Sequence, residues 1–217
     1  SIDCPDALPE FLTGDNIDLF PCIATVGVQD GRCLWYEQPL NAGYMALDPG
    51  GEQAEQAKRF LREDAYLVII FVTDEEDCSV ATPNAISNEN RARCSLAGTT
   101  DEGGPLVPVA HFVNRFRGLK DDPGRVIVAA IAGDSTATGP QKEVDRQAYR
   151  ESKESPATCH IETTICNGPT GVADFSSRLV ELTASFGPNG TFTNICDGDG
   201  IELALTRIAD NIVSIVN

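Results

Sequence analysis

Hydrophobic residues run without interruption from Tyr66 to Val72, and Thr73 completes the segment 66–73. The run reads YLVIIFVT and is followed at once by four acidic residues, 74–77. An unbroken apolar run, in contrast to an alternating one, is typical of a strand buried on both faces of a parallel sheet. Ligands of such sheets bind outside the carboxyl ends of the strands, where these acidic residues fall. The pattern therefore predicts a doubly buried strand over 66–73 and a candidate binding site directly after it.

The rest of the chain alternates between helical and strand patterns. Apolar residues recur at helical spacing in four segments, and a shorter helical stretch with Phe60 on its buried side follows the first of them. These helical segments are 36–47, 52–63, 109–116, 175–186 and 201–215. Further strands are predicted over 125–132, which is almost entirely apolar, and over 191–195. Asp174 and Asp199 are the expected N-caps of the last two helices.

Strand and helix alternate three times after residue 65, which predicts a parallel sheet covered by helices on both faces, with right-handed crossovers. We expect a loop-rich arm over 1–33 and one α/β domain over 34–217. Two polar stretches, about 79–104 and 133–172, interrupt the domain as insertions, and the first of them reads as a surface loop.

The acidic composition excludes two classes of partner. The chain has 33 acidic and 16 basic residues, a formal net charge of −17, so nucleic acid and anionic membranes would repel it. No stretch approaches the roughly 20 apolar residues that span a bilayer. Because the sequence opens at Ser1 without a methionine, we expect a mature or trimmed piece of a longer, exported protein.

Eight cysteines indicate an oxidising compartment, and therefore an exported protein. Zinc is the competing explanation, but there is no Cys-x-x-Cys, and the two histidines, His111 and His160, lie far apart. We therefore expect disulfides that staple the arm and the insertions. Proximity in sequence favours Cys22–Cys33 and Cys78–Cys94. Cys196 is expected to pair with Cys166 or Cys159, which leaves Cys4 for the remaining cysteine or for another chain.

Five segments together resemble the von Willebrand factor type A domain, in a divergent cysteine-containing branch of exported Gram-negative proteins and lipoproteins. The strand followed by TDEEDCS is the most specific of them. The segments are 20–24 (FPCIA), 36–40 (YEQPL), 60–65 (FLREDA), 71–79 (FVTDEEDCS) and 129–133 (AAIAG). The resemblance covers most of the chain and implies a three-layer αβα sandwich with a mostly parallel, Rossmann-like sheet.

The resemblance also implies a divalent cation at the carboxyl edge of the sheet. In that family the cation is held by a DxSxS motif, a threonine and an aspartate, and the aspartate matches Asp74. Asp77 is a second candidate ligand, and Thr25 is the nearest threonine. The DxSxS motif and the strands that should precede residue 20 are missing. We therefore expect a partner, or a first half on another chain, to cover strand 66–73, since an exposed apolar strand invites pairing.

The function expected from these features is binding and not catalysis. The candidate ligand-binding residues are Asp74, Glu75, Glu76 and Asp134, and Mg²⁺, Mn²⁺ or Ca²⁺ would suit their carboxylates. Such a module would engage a protein or surface ligand. The first alternative is a structural subunit of a larger assembly that binds no metal.

A second alternative is a serine esterase that uses Ser135. Segment 133–139 (GDSTATG) matches the GDSxxxG block of SGNH-type hydrolases, whose serine needs a histidine base preceded three residues earlier by an aspartate. Pro108 precedes His111 at that spacing, and Ala157 precedes His160. Neither histidine fits, so we expect the match to be fortuitous.

Overall fold

The computed structural model describes residues 4–5, 9, 11–24, 37–82, 85–86, 99–134, 166–168, 171–197 and 200–216. The chain divides into two units, 1–33 and 34–217, and each is described by itself.

The first unit contains a 3-10 helix, Gly14–Leu19, that leads into a short helix α1, Phe20–Ala24. A disulfide joins Cys4 to Cys22 with 5.7 Å between their Cα atoms, a normal separation for such a bond. The predicted Cys22–Cys33 pairing is therefore wrong. A loop of 18 residues costs only about 0.4 kcal/mol more to close than the shorter one to Cys33. Proximity in sequence could not separate the two possibilities.

The second unit is an α/β structure with five helices and a parallel sheet among its described residues, which confirms the predicted fold class. The helices are α2 (Pro39–Leu47), α3 (Ala54–Phe60), α4 (Val109–Arg117), α5 (Ser177–Ser185) and α6 (Gly200–Val216). The predicted helical segments coincide with these, and α4 ends at Gly118 as expected. Phe60 is an exception, because its side chain is exposed and not buried.

Three parallel strands form the sheet in the order β1–β2–β5. They are β1 (Leu67–Val72), β2 (Val126–Ala132) and β5 (Gly190–Asn194), and the register pairs Leu67 with Val126 and Val128 with Gly190. The strands β3 (Cys166–Gly168) and β4 (Gly171–Ala173) form a separate antiparallel hairpin just before α5.

The central strand β2 is buried on both faces, because helices pack on each side of it. On one face, Val128 and Ala130 belong to the main core with aromatic and leucine side chains of α4 and α5. These include Phe112, Phe116, Leu179 and Leu182. On the other face, Ala129 and Ile131 contact Ala204 and Ile208 of α6.

The strand β1 is buried on one face only, so the prediction of a doubly buried strand over 66–73 is wrong. Leu67, Ile69 and Phe71 lie in the main core, but Ile70 is 41% exposed and Val72 is 53% exposed. The register pairs these two with Ala129 and Ile131, which places them on the α6 face of the sheet. Within the described residues, α6 makes its main strand contacts with β2 and β5, which leaves this face of β1 open.

The first insertion is more than a surface loop where the structure describes it. Cys78, Val80, Ile86 and Leu106 form a small buried cluster of their own, and Val80 pairs with Leu106 in an isolated β-bridge. This cluster anchors the start of the insertion to its end. Throughout the described ranges, no helix has the length and apolar character needed to cross a membrane.

Candidate functional site

The four acidic residues after β1 differ sharply in exposure. Asp74 is exposed and Glu75 is half-buried, whereas Glu76 and Asp77 are 3% and 0% exposed. The carboxylates of Asp74 and Glu75 are therefore accessible to solvent, in full or in part, whereas the inner pair, Glu76 and Asp77, is buried in the protein. A charged group is buried only when hydrogen bonds or an ion pair compensate it, so the partners of the inner pair define how this part of the molecule is built.

Glu76 caps the N-terminus of α5. Its Oε2 accepts a hydrogen bond from Ser177 N at 2.8 Å and another from the Ser177 hydroxyl. Its Oε1 accepts from Arg178 N at 3.1 Å and from its neighbour Asp77 N at 3.0 Å. A carboxylate here satisfies amides that the helix leaves unbonded and faces the positive end of the helix dipole. The predicted cap Asp174 does not hold this place, since Ser176 occupies the N-cap position.

The pKa of Glu76 is raised to about 7, mainly because the carboxyl group is buried and to a smaller extent because of the neighbouring Asp77 carboxylate. The hydrogen bonds from Ser177 and Arg178 act in the opposite direction, because they stabilise the ionised form, but burial outweighs them.

Asp77 joins the N-terminus of α2 to the start of α5. Its Oδ1 accepts from Leu40 N at 3.0 Å and from Ser79 Oγ at 2.7 Å. Its Oδ2 accepts from Ser79 N at 3.2 Å and from Arg178 Nε at 2.9 Å, which makes a buried ion pair. The Arg178 guanidinium also donates to the Val107 carbonyl at 2.6 Å. Glu76, Asp77 and Arg178 thus form a buried polar frame.

The segment before α2 contacts the chain on both sides of the acidic residues 74–77. Thr73 Oγ1 donates to Glu37 Oε2 at 2.8 Å and accepts from Glu75 N at 3.1 Å. Cys78 N donates to the Glu37 carbonyl at 2.7 Å. Glu37 therefore holds the acidic segment at both of its ends, at Thr73 and at Cys78.

The ends of the strands converge around this frame. Asp174 N donates to the Asp74 carbonyl at 2.7 Å, Ser176 N donates to the Gly133 carbonyl at 3.0 Å, and Ser176 Oγ donates to the Glu75 carbonyl at 2.7 Å. We call the surface formed by residues 73–79, 133–134 and 174–178 the carboxyl edge. It joins the ends of β1 and β2 to the start of α5, as expected for a parallel sheet.

Asp174 adds a further buried carboxyl group to the carboxyl edge. Burial raises its pKa to about 7, and the carboxylates of Asp74 and Glu76 raise it as well. Sequence reasoning assigned Asp174 a capping role only and did not single out Ser176, Ser177 or Arg178. The sequence signal that could have identified them is the stretch 174–178 (DFSSR), which directly precedes the apolar pattern of α5. In a parallel α/β sheet the residues at the start of such a helix often lie at the carboxyl edge.

The structure separates the predicted ligand-binding residues into two groups. Asp74, Glu75 and the half-buried Asp134 are accessible at the carboxyl edge, whereas Glu76 and Asp77 are engaged in the frame. A cation bound to Asp77 would have to displace the hydrogen-bond donors on Leu40, Ser79 and Arg178. A cation could reach the exposed Asp74 carboxylate without displacing them. Among the described residues, no group of three or more histidine, cysteine or acidic side chains is arranged to hold a metal ion.

The remaining candidates are distributed as follows. Cys78 and Cys196 are disulfide-bonded, while Cys33, Cys94 and Cys159 lie outside the described residues, as do Thr25, Ser135 and His160. His111 lies on α4, where its Nε2 accepts a hydrogen bond from Arg115 Nε at 2.6 Å.

Comparison with known proteins gives no further identification. No family model matches this chain, and no curated protein or solved structure shows a significant similarity to it. The resemblance to the von Willebrand factor type A domain therefore stays a prediction.

Proposed function

We propose that the 34–217 unit is an exported binding module that engages a protein or surface ligand at the carboxyl edge. The observation that carries this proposal is the way the accessible carboxylates are held. The backbone that carries Asp74, Glu75 and Asp134 is held by hydrogen bonds from Asp174 and Ser176, which lie directly before α5. Groups fixed in this way lose little conformational freedom on binding, which is a property of built recognition sites.

The chemistry of this edge favours a positively charged ligand group. The carboxylates of Asp74, Glu75 and Asp134 are accessible there, and burial together with the Asp74 and Glu76 carboxylates raises the pKa of the nearby Asp174 to about 7. Mg²⁺, Mn²⁺ or Ca²⁺ would suit Asp74, and an acidic group of the ligand would then complete the coordination. This form of binding is the one that the von Willebrand factor type A resemblance implies. The module has no proposed catalytic role.

The test uses the metal ions alone as probes. Protein stripped with a chelator would be titrated with each ion by isothermal calorimetry, in wild type, Asp74→Asn and Glu55→Gln. Glu55 is the matched control, because it is an exposed acid on α3 that pairs with Lys58. We expect binding to wild type and the control, and its loss in Asp74→Asn. Absence of binding to wild type, or equal binding by Asp74→Asn, would contradict a cation at this edge.

The second candidate function is that of a structural subunit in a larger assembly, and the exposed face of β1 favours it. Ile70 and Val72 are apolar strand residues open to solvent, which is typical of a surface that another chain covers. A partner, or a first half of the domain on another chain, would lie there. Analytical ultracentrifugation of the protein purified from its source under native conditions should then show a complex larger than one chain. A single-chain species would contradict this candidate.

Export is part of the proposal and rests on the cysteines. The Cys4–Cys22 disulfide and the bonded state of Cys78 and Cys196 support an oxidising compartment. Periplasmic, outer-membrane-associated and extracellular locations all meet this condition.

A further inference from the structure

The open face of β1 and one side of α6 both carry exposed apolar side chains. Val68, Ile70 and Val72 point to the same face of the sheet, and the latter two are exposed. On α6, Ile201 and Leu205 are also largely exposed. Exposed apolar side chains on two adjoining elements form a patch, in contrast to the scattered single residues that are ordinary on a protein surface.

Contacts on α6 show which of its sides adjoins β1. Ala204 and Ile208 lie against β2, and Asn211 donates to Thr191 Oγ1 of β5 at 2.7 Å. Successive residues turn by about 100° around a helix, so Ile201 and Leu205 lie beyond Ala204 and Ile208 on the side opposite to Asn211. That side faces β1. We call the surface formed by Val68, Ile70, Val72, Ile201 and Leu205 the β1–α6 face.

The shape of the β1–α6 face fits a helix. The α6 helix covers β2 and β5, so a second helix beside it would cover β1 in the same layer. A strand of six residues spans about 20 Å, and the 17 residues of α6 span about 25 Å. A helix of similar length with one apolar stripe would contact both elements, which is the usual way in which a helix occupies an apolar groove.

The rim of the β1–α6 face is acidic. Asp64 and Asp74 are exposed at the two ends of β1, and Glu202 is exposed on α6. The basic residues nearest to the start of β1 are Arg62 and Arg125, and Arg125 lies 3.9 Å from the acidic Asp122. The one basic residue of α6, Arg207, lies 4.0 Å from Asp197 on the side towards β5. A second copy of this chain would bring the same acidic rim and a net charge of −17, which opposes self-association.

We propose that the β1–α6 face binds an amphipathic helix of a partner protein whose apolar stripe is flanked by lysine or arginine. This inference rests on the second candidate function, which it deepens, and it shares only Asp74 with the carboxyl edge. The apolar stripe covers Ile70, Val72 and Leu205, and the basic flanks meet the acidic rim. Apolar contact supplies most of the affinity, and the charges select the partner and its orientation.

Two synthetic helical peptides of about 17 residues, matched in length to α6, serve as probes. Both carry the same leucine stripe, and they differ in having lysine or glutamate flanks. Binding would be measured by fluorescence anisotropy near physiological salt, with wild type, the double variant Ile70→Thr/Val72→Thr, and Leu205→Gln. These substitutions leave every charge unchanged. The control is Met45→Gln, because Met45 is an exposed apolar residue on α2.

We expect the lysine peptide to bind wild type and Met45→Gln equally and to lose affinity by about tenfold or more in the other two variants. The glutamate peptide should not bind. Equal binding of the lysine peptide to all four proteins would show unspecific attraction and overturn the inference, as would its failure to bind wild type. Sedimentation of the wild-type protein as a dimer that Leu205→Gln dissociates would overturn it too, while leaving a structural role intact.

Discussion

The buried ion pair between Asp77 and Arg178 gives the sharpest test of how the carboxyl edge is built. Both side chains are almost completely buried, and 2.9 Å separates Asp77 Oδ2 from Arg178 Nε. The perturbations are Asp77→Asn, Arg178→Met and the two combined. Each single variant removes one charge, keeps the approximate volume and leaves the other charge buried. The double variant removes both charges.

The expected magnitudes follow from the hydrogen bonds. In Asp77→Asn, the side-chain oxygen can still accept from Leu40 N and Ser79 Oγ, but the new amide donor faces the donors Ser79 N and Arg178 Nε. Removal of one partner of a buried pair destabilises by about 3–5 kcal/mol, and this variant belongs at the upper end. In Arg178→Met, the carboxylate keeps the three donors on Leu40 and Ser79, so we expect about 3 kcal/mol.

The double variant decides between coupling and independence. Because each single variant includes the cost of an uncompensated charge, the double variant should lose about 2 kcal/mol less than the sum of the singles. The free energy of unfolding would be measured by urea denaturation followed by circular dichroism. The exposed pair Lys58–Glu55, with 3.3 Å between Nζ and Oε1, is the control, and its cycle should show coupling close to zero. Effects at Asp77 and Arg178 that add within about 0.5 kcal/mol would refute the reasoning.

Two further predictions concern the packing of α5. The pKa of Glu76 is about 7 in the folded protein, above its ordinary value of 4.5. Between these two pH values the folded state keeps a proton that the unfolded state has lost, so the free energy of unfolding decreases as the pH rises from about 4.5 to about 7. The free energy of unfolding of Glu76→Gln should therefore fall less over this range than that of wild type, and equal pH dependence would contradict the assignment. A Cβ atom on Gly190 would lie 1.8 Å from the Thr183 carbonyl oxygen, so Gly190→Ala should destabilise by about 1–3 kcal/mol or more. Gly14, which has open space around it, is the control in thermal unfolding, and an unchanged melting temperature for Gly190→Ala would count against the packing.

The two apolar runs show what hydrophobic pattern can and cannot predict. Segments 66–73 and 125–132 both indicate buried strands, and both are strands in a parallel sheet. Only the second is buried on both faces, because α6 lies over β2 and not over β1. The difference arises from which helix packs over which strand. That is a property of the tertiary arrangement, and no pattern within either run encodes it.

The acidic segment shows the same limit for the candidate site. Its position at the carboxyl end of β1 followed from the strand prediction. The roles of its residues did not, because several of the donors that engage Glu76 and Asp77 belong to Ser177 and Arg178, about a hundred residues away in sequence. Asp74 and Asp77 are equally acidic in the sequence. Only the fold makes one a surface carboxylate and the other a buried anchor.

The balance of charge at the carboxyl edge restricts the ligands it can accept. Three buried carboxyl groups, those of Glu76, Asp77 and Asp174, lie in a region where Arg178 is the buried cation among the described residues. Asp77 pairs with that cation, and the pKa values of the other two rise to about 7 because ionisation there is opposed by burial and by neighbouring carboxylates. An approaching anion would raise the cost of ionisation further, whereas a cation would lower it. Because burial and, to a smaller extent, neighbouring carboxylates oppose ionisation of Glu76 and Asp174, a cationic group is favoured as the part of a ligand that contacts Asp74.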